Sequence, residues 1–507
     1  MNATVLRLDA AEPPALRRST VRLWMLLAGA FGLLFALTAA RTIGWQDSGH
    51  FVLRVVTGEL DNHYGLALVH PLHYWLAAGA VWALPLEPPF AIALVSALCG
   101  AITVANVFGI LLTLIGRAGP AVLAAVALGL AHTFWRHATL PECYTVTTAL
   151  LTAELWCLVL LVRTGQGRWL LGMMLASGLG WANHNMALLT LPIVGLAALD
   201  ACWRRGGWAG AGLLAAGAAV WVLGSLPYSS LIAMEMARTG DVIATLRSAL
   251  FGTRFASNVL NPVPGIRTLA ISTAFTLLSF PNLFLPAAAY GLWGARRIGV
   301  PGRLHATLLG ALGIHLLFVI RYDVIDQHTF FLPLYTLLAI FAGIGFASLA
   351  RWKAPIRRDV VRVMVVLLAL TPLLYAAAPE LARQTDVLAP FARNKPYRDD
   401  YRYLLWPWAM MDVSAERMSR HAMELAGDAG LVVGEDSMGL FALKYQRWRM
   451  QREAVQIVPE LEAEQAREAL EQGRPIVLVP QTVERPSTPA PRGHWQREGD
   501  LYRLADD

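Results

Sequence analysis

Five short polar stretches interrupt an apolar chain, and they hold the side chains able to do chemistry. "GWQDSGHF" (44–51) brings Asp47 and His50, and "VHPLHYW" (69–75) adds His70 and His73 beside aromatics. "FWRHATLPECYTV" (134–146) supplies Arg136, His137, Glu142 and Tyr144. "GWANHNM" (180–186) sets Asn183, His184 and Asn185 in a row, and "RYDVIDQHTFFLP" (321–333) contributes Arg321, Tyr322, Asp323, Asp326 and His328. Histidines with carboxylates suggest a metal centre, but no H-x-x-x-H or H-E-x-x-H spacing occurs, so none is expected. Asp47 and Ser48 suit a helix N-cap, Arg136 and Arg321 suit anchors at lipid headgroups, and His70, His73 and His137 suit structural hydrogen bonding. Asn183, His184 and Asn185 resist such readings. They fall between the apolar runs 169–182 and 186–201, where unsatisfied polar groups cost several kcal/mol in hydrocarbon. They should line a cavity or bind something polar.

The elements that must position these residues follow from composition. The 507 residues are 56% hydrophobic and 15% charged, whereas soluble domains carry about 25% charged residues; a polytopic membrane protein is expected. The net charge of +7 sits in short loops between apolar runs and forms no basic-aromatic face, which argues against nucleic acid as a partner. Cys99, Cys143, Cys157 and Cys202 form no paired pattern and read as small buried hydrophobes. Arg17, Arg18 and Arg22 precede an apolar run from Leu23 to Ala40, read as an uncleaved first helix.

Later apolar runs cover 90–115, 118–135, 145–162, 169–182, 186–201, 209–226, 268–293, 304–320, 329–350 and 359–378. The 72–86 run, bracketed by Pro71 and Pro85, suits a half-inserted helix better than a span. If it does not cross, Arg117, Arg163/Arg168, Arg204/Arg205, Arg296/Arg297/Arg303 and Arg351/Lys353/Arg357/Arg358 join the N-terminal arginines on one side. Positive-inside bias then gives about eleven spans. It also turns 41–89, 136–144, 183–185, 227–267, 321–328 and the tail outward. The expected organisation is a cytoplasmic segment 1–22, a transmembrane domain 23–378 and a non-cytoplasmic domain 379–507. In the last, "AGLVVGEDS" and "RPIVLVPQ" read as buried strands and "ELEAEQAREALEQG" as an amphipathic helix closed by Gly473. No internal repeat supports a transporter of inverted-repeat design.

The motifs together resemble the GT-C-type membrane glycosyltransferases, in the branch long catalogued as a domain of unknown function that includes a eukaryotic protein O-mannosyltransferase. Members look like "W-G-D-S-G-E", "H-P-P-G-Y-P-L-Y", "F-W-x-x-A-x-x-x-E-V-Y", "G-x-x-x-x-N-H" and "Y-x-V-x-D-x-x-x-F-F-L-P", in that order. "GEDSMGLFALKYQRWRM" (434–450) resembles a stretch of their soluble region. The resemblance runs from about residue 44 to 450, with His50 in place of the usual acid and "HPLHYWL" short of a proline and a glycine.

The resemblance implies a GT-C-like helical membrane fold with a small C-terminal α/β domain. It also implies an inverting transfer of a sugar from a polyprenyl-phosphate donor to an acceptor hydroxyl on a protein or glycan, with no cofactor. Asp47 then falls at the general base. Asn183, His184, Arg254 and Arg321 become candidates for the leaving phosphate, and Glu142 and Tyr144 for holding the sugar or ordering the loop. Asp326 would do either or orient Arg321, and His50, His70 and Tyr322 complete the substrate-binding set. The Ala-, Leu- and Arg-rich composition points to a bacterial inner membrane and an undecaprenyl-type carrier; mannose follows only from the eukaryotic relative. A non-catalytic scaffold of the same fold, or a lipid or solute transporter, stands as the alternative.

Overall fold

In hydrocarbon every backbone N–H and C=O must be satisfied within the chain, so apolar runs become helices. The computed structural model describes residues 18–60, 64–386, 388, 392–484 and 486–505. The expected cytoplasmic N-terminal segment lies, through Arg17, outside them. The first helices are α1 (Arg18–Thr38), α2 (Gln46–Thr57), α3 (Pro71–Ala83), α4 (Pro88–Ile115), α5 (Ala118–Gly129), α6 (His132–His137) and α7 (Tyr144–Thr164). Next come α8 (Gly167–Asn183), α9 (Leu191–Arg205), α10 (Gly207–Thr239), α11 (Val242–Phe251), α12 (Ala256–Leu260), α13 (Ile266–Ser279) and α14 (Phe284–Gly294). The chain continues through α15 (Gly302–Arg321), α16 (Leu332–Ser348), α17 (Ala354–Thr385), α18 (Asp400–Leu405), α19 (Ser414–Ala426), α20 (Ser437–Arg449) and α21 (Ala463–Glu471).

Among the described residues seven helical segments are long and apolar enough to span: α1, α4, α7, α10, α15, α17 and the Gln327–Arg351 stretch that contains α16. Of the other expected spans, 169–182 is one continuous helix, α8, of 17 residues, and the rest depart from single straight helices. The 268–293 run breaks at Phe280-Pro281-Asn282, and its two halves are bent by 96°. Pro281 lacks the N–H a continuing helix needs, and Asn282 Oδ1 accepts the Phe284 N–H at 2.9 Å to start the new one. The 118–135 run stops as α5 at Gly129, and 186–201 opens with a 3-10 turn, Asn185–Leu189. The stretch 227–267, expected as a loop, is largely helical: α10 continues through Pro227, and α11 and α12 follow. α3 has 13 residues, a rise of roughly 20 Å against about 30 Å of hydrocarbon, and Trp75 and Trp82 on it are exposed.

The described residues divide into two units. The first holds the chain up to Gly32, 100–131 and 146–369. Within it α14 and α16 meet backbone to backbone: a Cβ at Gly291 would lie 1.8 Å from the Phe341 carbonyl oxygen, and one at Gly345 1.9 Å from that of Ala287. Only glycine permits that approach.

The second unit holds 33–99, 132–145 and the chain from Leu370 onward. Its sheet comprises β1 (Leu431–Gly434), β2 (Gln456–Val458), β3 (Ile476–Val479), β4 (His494–Glu498) and β5 (Leu501–Ala505), in the order β2-β1-β3-β5-β4. The first three are parallel, with Val433 opposite both Val458 and Leu478, and β5 and β4 are antiparallel additions. β1 and β3 are apolar and buried throughout, as strands covered on both faces must be. α21 is followed by Gly473 in the left-handed region, at φ 65°. The C-terminal domain does not close its core alone. Trp45, Val52, Leu53 and Ala77 from the first loop join Met418, Val432, Ala442, Leu443 and Val477 in one cluster. Each such side chain contributes roughly 1.5–3 kcal/mol on full burial, so the sheet domain and the helix carrying Asp47 stabilise one another.

Candidate functional site

In the second unit the site grows from α2. Trp45 supplies its extended N-cap residue, and Gly58 closes it in the left-handed conformation at φ 74°. Asp47 stands exposed in the first turn. Directly behind it Ser48 is buried and its Oγ donates to Glu142 Oε1 at 3.0 Å. Glu142 is fixed in turn by Ser96 on α4, whose Oγ donates to the Glu142 carbonyl at 3.0 Å and accepts from its N–H at 3.2 Å. Buried Arg54, further along the helix, donates to the carbonyls of Leu60 and Val69 at 2.8 Å each, tying both to α2. Burial, then the Glu142 and Asp47 carboxylates, push the Cys143 thiol well above its ordinary range. The thiol is therefore neutral, and the two acids share its surroundings.

Aromatic contacts complete this half. Phe51 meets His70 and His73 edge-on, with centroids 5.8 and 4.7 Å apart, and His137 meets Tyr144 the same way at 5.4 Å. Burial lowers His73 to about 3, helped by His70 and Arg54, and lowers His137 to about 4 although its Nδ1–H donates to the Thr133 carbonyl. Both are neutral. His50 stacks on Phe441 of α20 at 4.4 Å and 23°. A carboxylate would face the negative π-cloud of that ring, which gives a physical reason for histidine at this position. A Cβ at Gly49 would lie 2.7 Å from the Gly44 carbonyl oxygen and 3.3 Å from Phe441 Cβ, so α2 approaches α20 only through glycine.

In the first unit the site is the turn after α8. Asn183, buried at the helix end, donates through Nδ2 to Thr147 Oγ at 2.8 Å. His184 Nδ1 accepts the Met186 N–H at 3.1 Å. That bond places the ring proton of the neutral side chain on Nε2. Asn185 donates to the carbonyls of Ala249 and Leu250 on α11 at 2.7 and 3.0 Å. Phe330 bridges His184 (6.1 Å) and Tyr322 (4.6 Å), so the His184 turn and the 322–330 segment come together. Arg321 donates to the carbonyls of Leu317 and Asn261 at 3.0 and 2.9 Å, which fixes its guanidinium plane. Burial raises the Asp326 carboxyl. Arg254 is exposed beside Phe255.

Residues 66–204 match the family model described as the protein O-mannosyl-transferase TMEM260 N-terminal domain. Over its whole length the chain resembles ArnT from Cupriavidus metallidurans bound to undecaprenyl phosphate, at 15% identity and a TM-score of 0.58, covering 96% of this chain and 97% of that one. The chain has the GT-C membrane fold. An Archaeoglobus fulgidus oligosaccharyltransferase (11% identity, 90% of this chain and 67% of that one, TM-score 0.46) and the Saccharomyces cerevisiae Pmt1–Pmt2 complex bound to its sugar donor (15%, 49% and 36%, 0.37) are more distant, too far to carry an argument. No curated protein matches.

Along the chain, His70, Glu142, Tyr144, Asn183 and His184 fall inside the segment that matches the family model, while Asp47, His50, Arg254, Arg321, Tyr322 and Asp326 lie outside it. Sequence reasoning gave Ser48 only a capping role, where the cap is Trp45, and passed over Arg54, Ser96, Thr147 and Phe441. Arg54 alone had a signal, a charge inside the apolar run "FVLRVV". The others are ordinary residues whose roles come from partners distant in the chain.

Proposed function

We propose that this chain is an inverting glycosyltransferase that moves a sugar from a polyprenyl-phosphate donor to an acceptor hydroxyl, with Asp47 as general base. The observation that carries the reading is Asp47 itself: an exposed carboxylate at the head of a helix braced by Ser48, Glu142 and Arg54, in a chain with the fold of ArnT, a protein solved with undecaprenyl phosphate. Asp47 takes the proton of the acceptor hydroxyl as that oxygen attacks the anomeric carbon. The bond from this carbon to the phosphate oxygen breaks, its electron pair leaves on the lipid phosphate, and opposite-face attack inverts the centre. Positioned proton transfer of this kind contributes about 10²–10⁴-fold.

Chemistry assigns the phosphate to the His184 Nε2–H, with Arg254 and Arg321 as cationic help. Asn183 holds the turn through Thr147. Glu142, engaged with Ser48 and Ser96, orders α2, while His70 and Tyr144 of the second unit and Tyr322 and Asp326 of the first are assigned to substrate binding. The TMEM260-type segment favours mannose and a protein or glycan acceptor, and basic-loop bias sets Asp47 and the sheet domain on the periplasmic face of a bacterial inner membrane.

The test is purified protein in membranes with a panel of polyprenyl-phosphate sugars. One donor should be consumed by wild type and far less by His184→Ala. Consumption of no donor by wild type would favour the non-catalytic scaffold.

A further inference from the structure

Glu154 lies in the middle of α7, 2% exposed, in a segment that spans the membrane. Among the described residues, no arginine or lysine is on the wall of the cavity beside it. Its surroundings form a small cavity of about 10 Å³ bounded by Thr147, Ser177, Met186, Thr190 and His315 among others. That volume suits a single water, provided it finds two or more polar partners.

Two details fix the state of the acid. The Thr190 hydroxyl lies 3.0 Å from Glu154 Oε2 and 3.0 Å from the Ala187 carbonyl oxygen. It has one proton, and a carbonyl can only accept. Both contacts are satisfied when Thr190 donates to Ala187 and Glu154 carries a proton on Oε2 that it donates to Thr190 Oγ. The second oxygen, Oε1, makes no close, well-aligned hydrogen bond among the described residues, although the Ser177 hydroxyl stands beside the acid as a second donor. Across the cavity His315 Nδ1 faces the Ala311 carbonyl at 2.9 Å and must donate to it, which in the neutral ring leaves Nε2 an acceptor. A water donating to Glu154 Oε1 and His315 Nε2 uses both of its protons, and the Ser177 hydroxyl on the wall can donate to its oxygen.

We propose that Glu154 is held as the neutral carboxylic acid and, with one bound water, forms a polar lock under the 183–190 turn. The turn's underside is the cavity wall: Met186, Ala187 and Thr190 line it directly, and Thr147 on the same wall holds Asn183. The lock does not depend on the glycosyl-transfer reading.

Infrared difference spectroscopy of wild type against Glu154→Gln, in membranes at neutral pH, tests it. Loss of a protonated-carboxyl C=O band in the variant is expected; loss of ionised-carboxylate bands instead would overturn the proposal. Gln, whose amide can donate to Thr190 as the acid does, should leave Tm near wild type, whereas Glu154→Ala should lower it. Equal destabilisation by both substitutions would overturn it as well. A density map at water resolution should show one solvent peak within hydrogen-bond reach of Oε1, and an empty cavity would overturn the water half.

Discussion

Behind the exposed Asp47, a buried serine holds a buried glutamate. Ser48→Ala would leave Glu142 Oε1 without that donor, and a buried acceptor so orphaned costs about 1–3 kcal/mol. Thermal unfolding in detergent should register that loss, with donor turnover falling alongside because α2 is less well held. His73 and His137 carry a pH dependence whose sign follows from their shifts. Both have folded values, about 3 and about 4, below the ordinary 6.5. Between those limits the unfolded chain binds more protons, so stability falls as pH drops from about 6.5 toward 4, by up to about 1.4 kcal/mol per unit per group. His73→Asn should flatten that acid limb in a Tm-versus-pH series. At this scale the residue types were legible in the sequence and their states were not. That His73 is neutral, or that His184 carries its proton on Nε2, depends on burial and on a backbone N–H that no spacing reveals.

Helix α2 is positioned by contact with α20, some 390 residues away in the chain by the Gly49–Phe441 pairing. Gly49→Ala would press a methyl group against the Gly44 carbonyl and Phe441, an overpacking of about 1–3 kcal/mol. Both Tm and donor turnover should fall, while Glu59→Ala, an exposed change beyond the same helix's end, should alter neither. Helices were read well where hydropathy is continuous and uninterrupted, as in α4, α7 and α17. The 268–293 run is a bent helix pair instead of one straight helix, because a hydropathy average does not register Pro281, and 227–267 is largely helical although Arg247 and Arg254 give it the look of a loop. β1, β3 and α21 were legible because their periods are clean; that their core is shared with Trp45 and Leu53 was not, since that contact is non-local.

For the whole molecule, six short motifs in order point to a GT-C fold, and the 96% overlap with ArnT agrees. Orientation rests on charge alone. In a cysteine-free background, cysteines at exposed Glu59 and Glu471 should react with an impermeant maleimide added outside cells permeabilised only at the outer membrane. One at exposed Lys353 should react only after full lysis. The central claim is that Asp47 takes the acceptor proton. Its most direct test is transfer by Asp47→Asn in membranes, with the donor that wild type consumes and with unchanged Tm confirming the fold. Turnover should fall at least about 100-fold while donor still binds; transfer at the wild-type rate would contradict the mechanism.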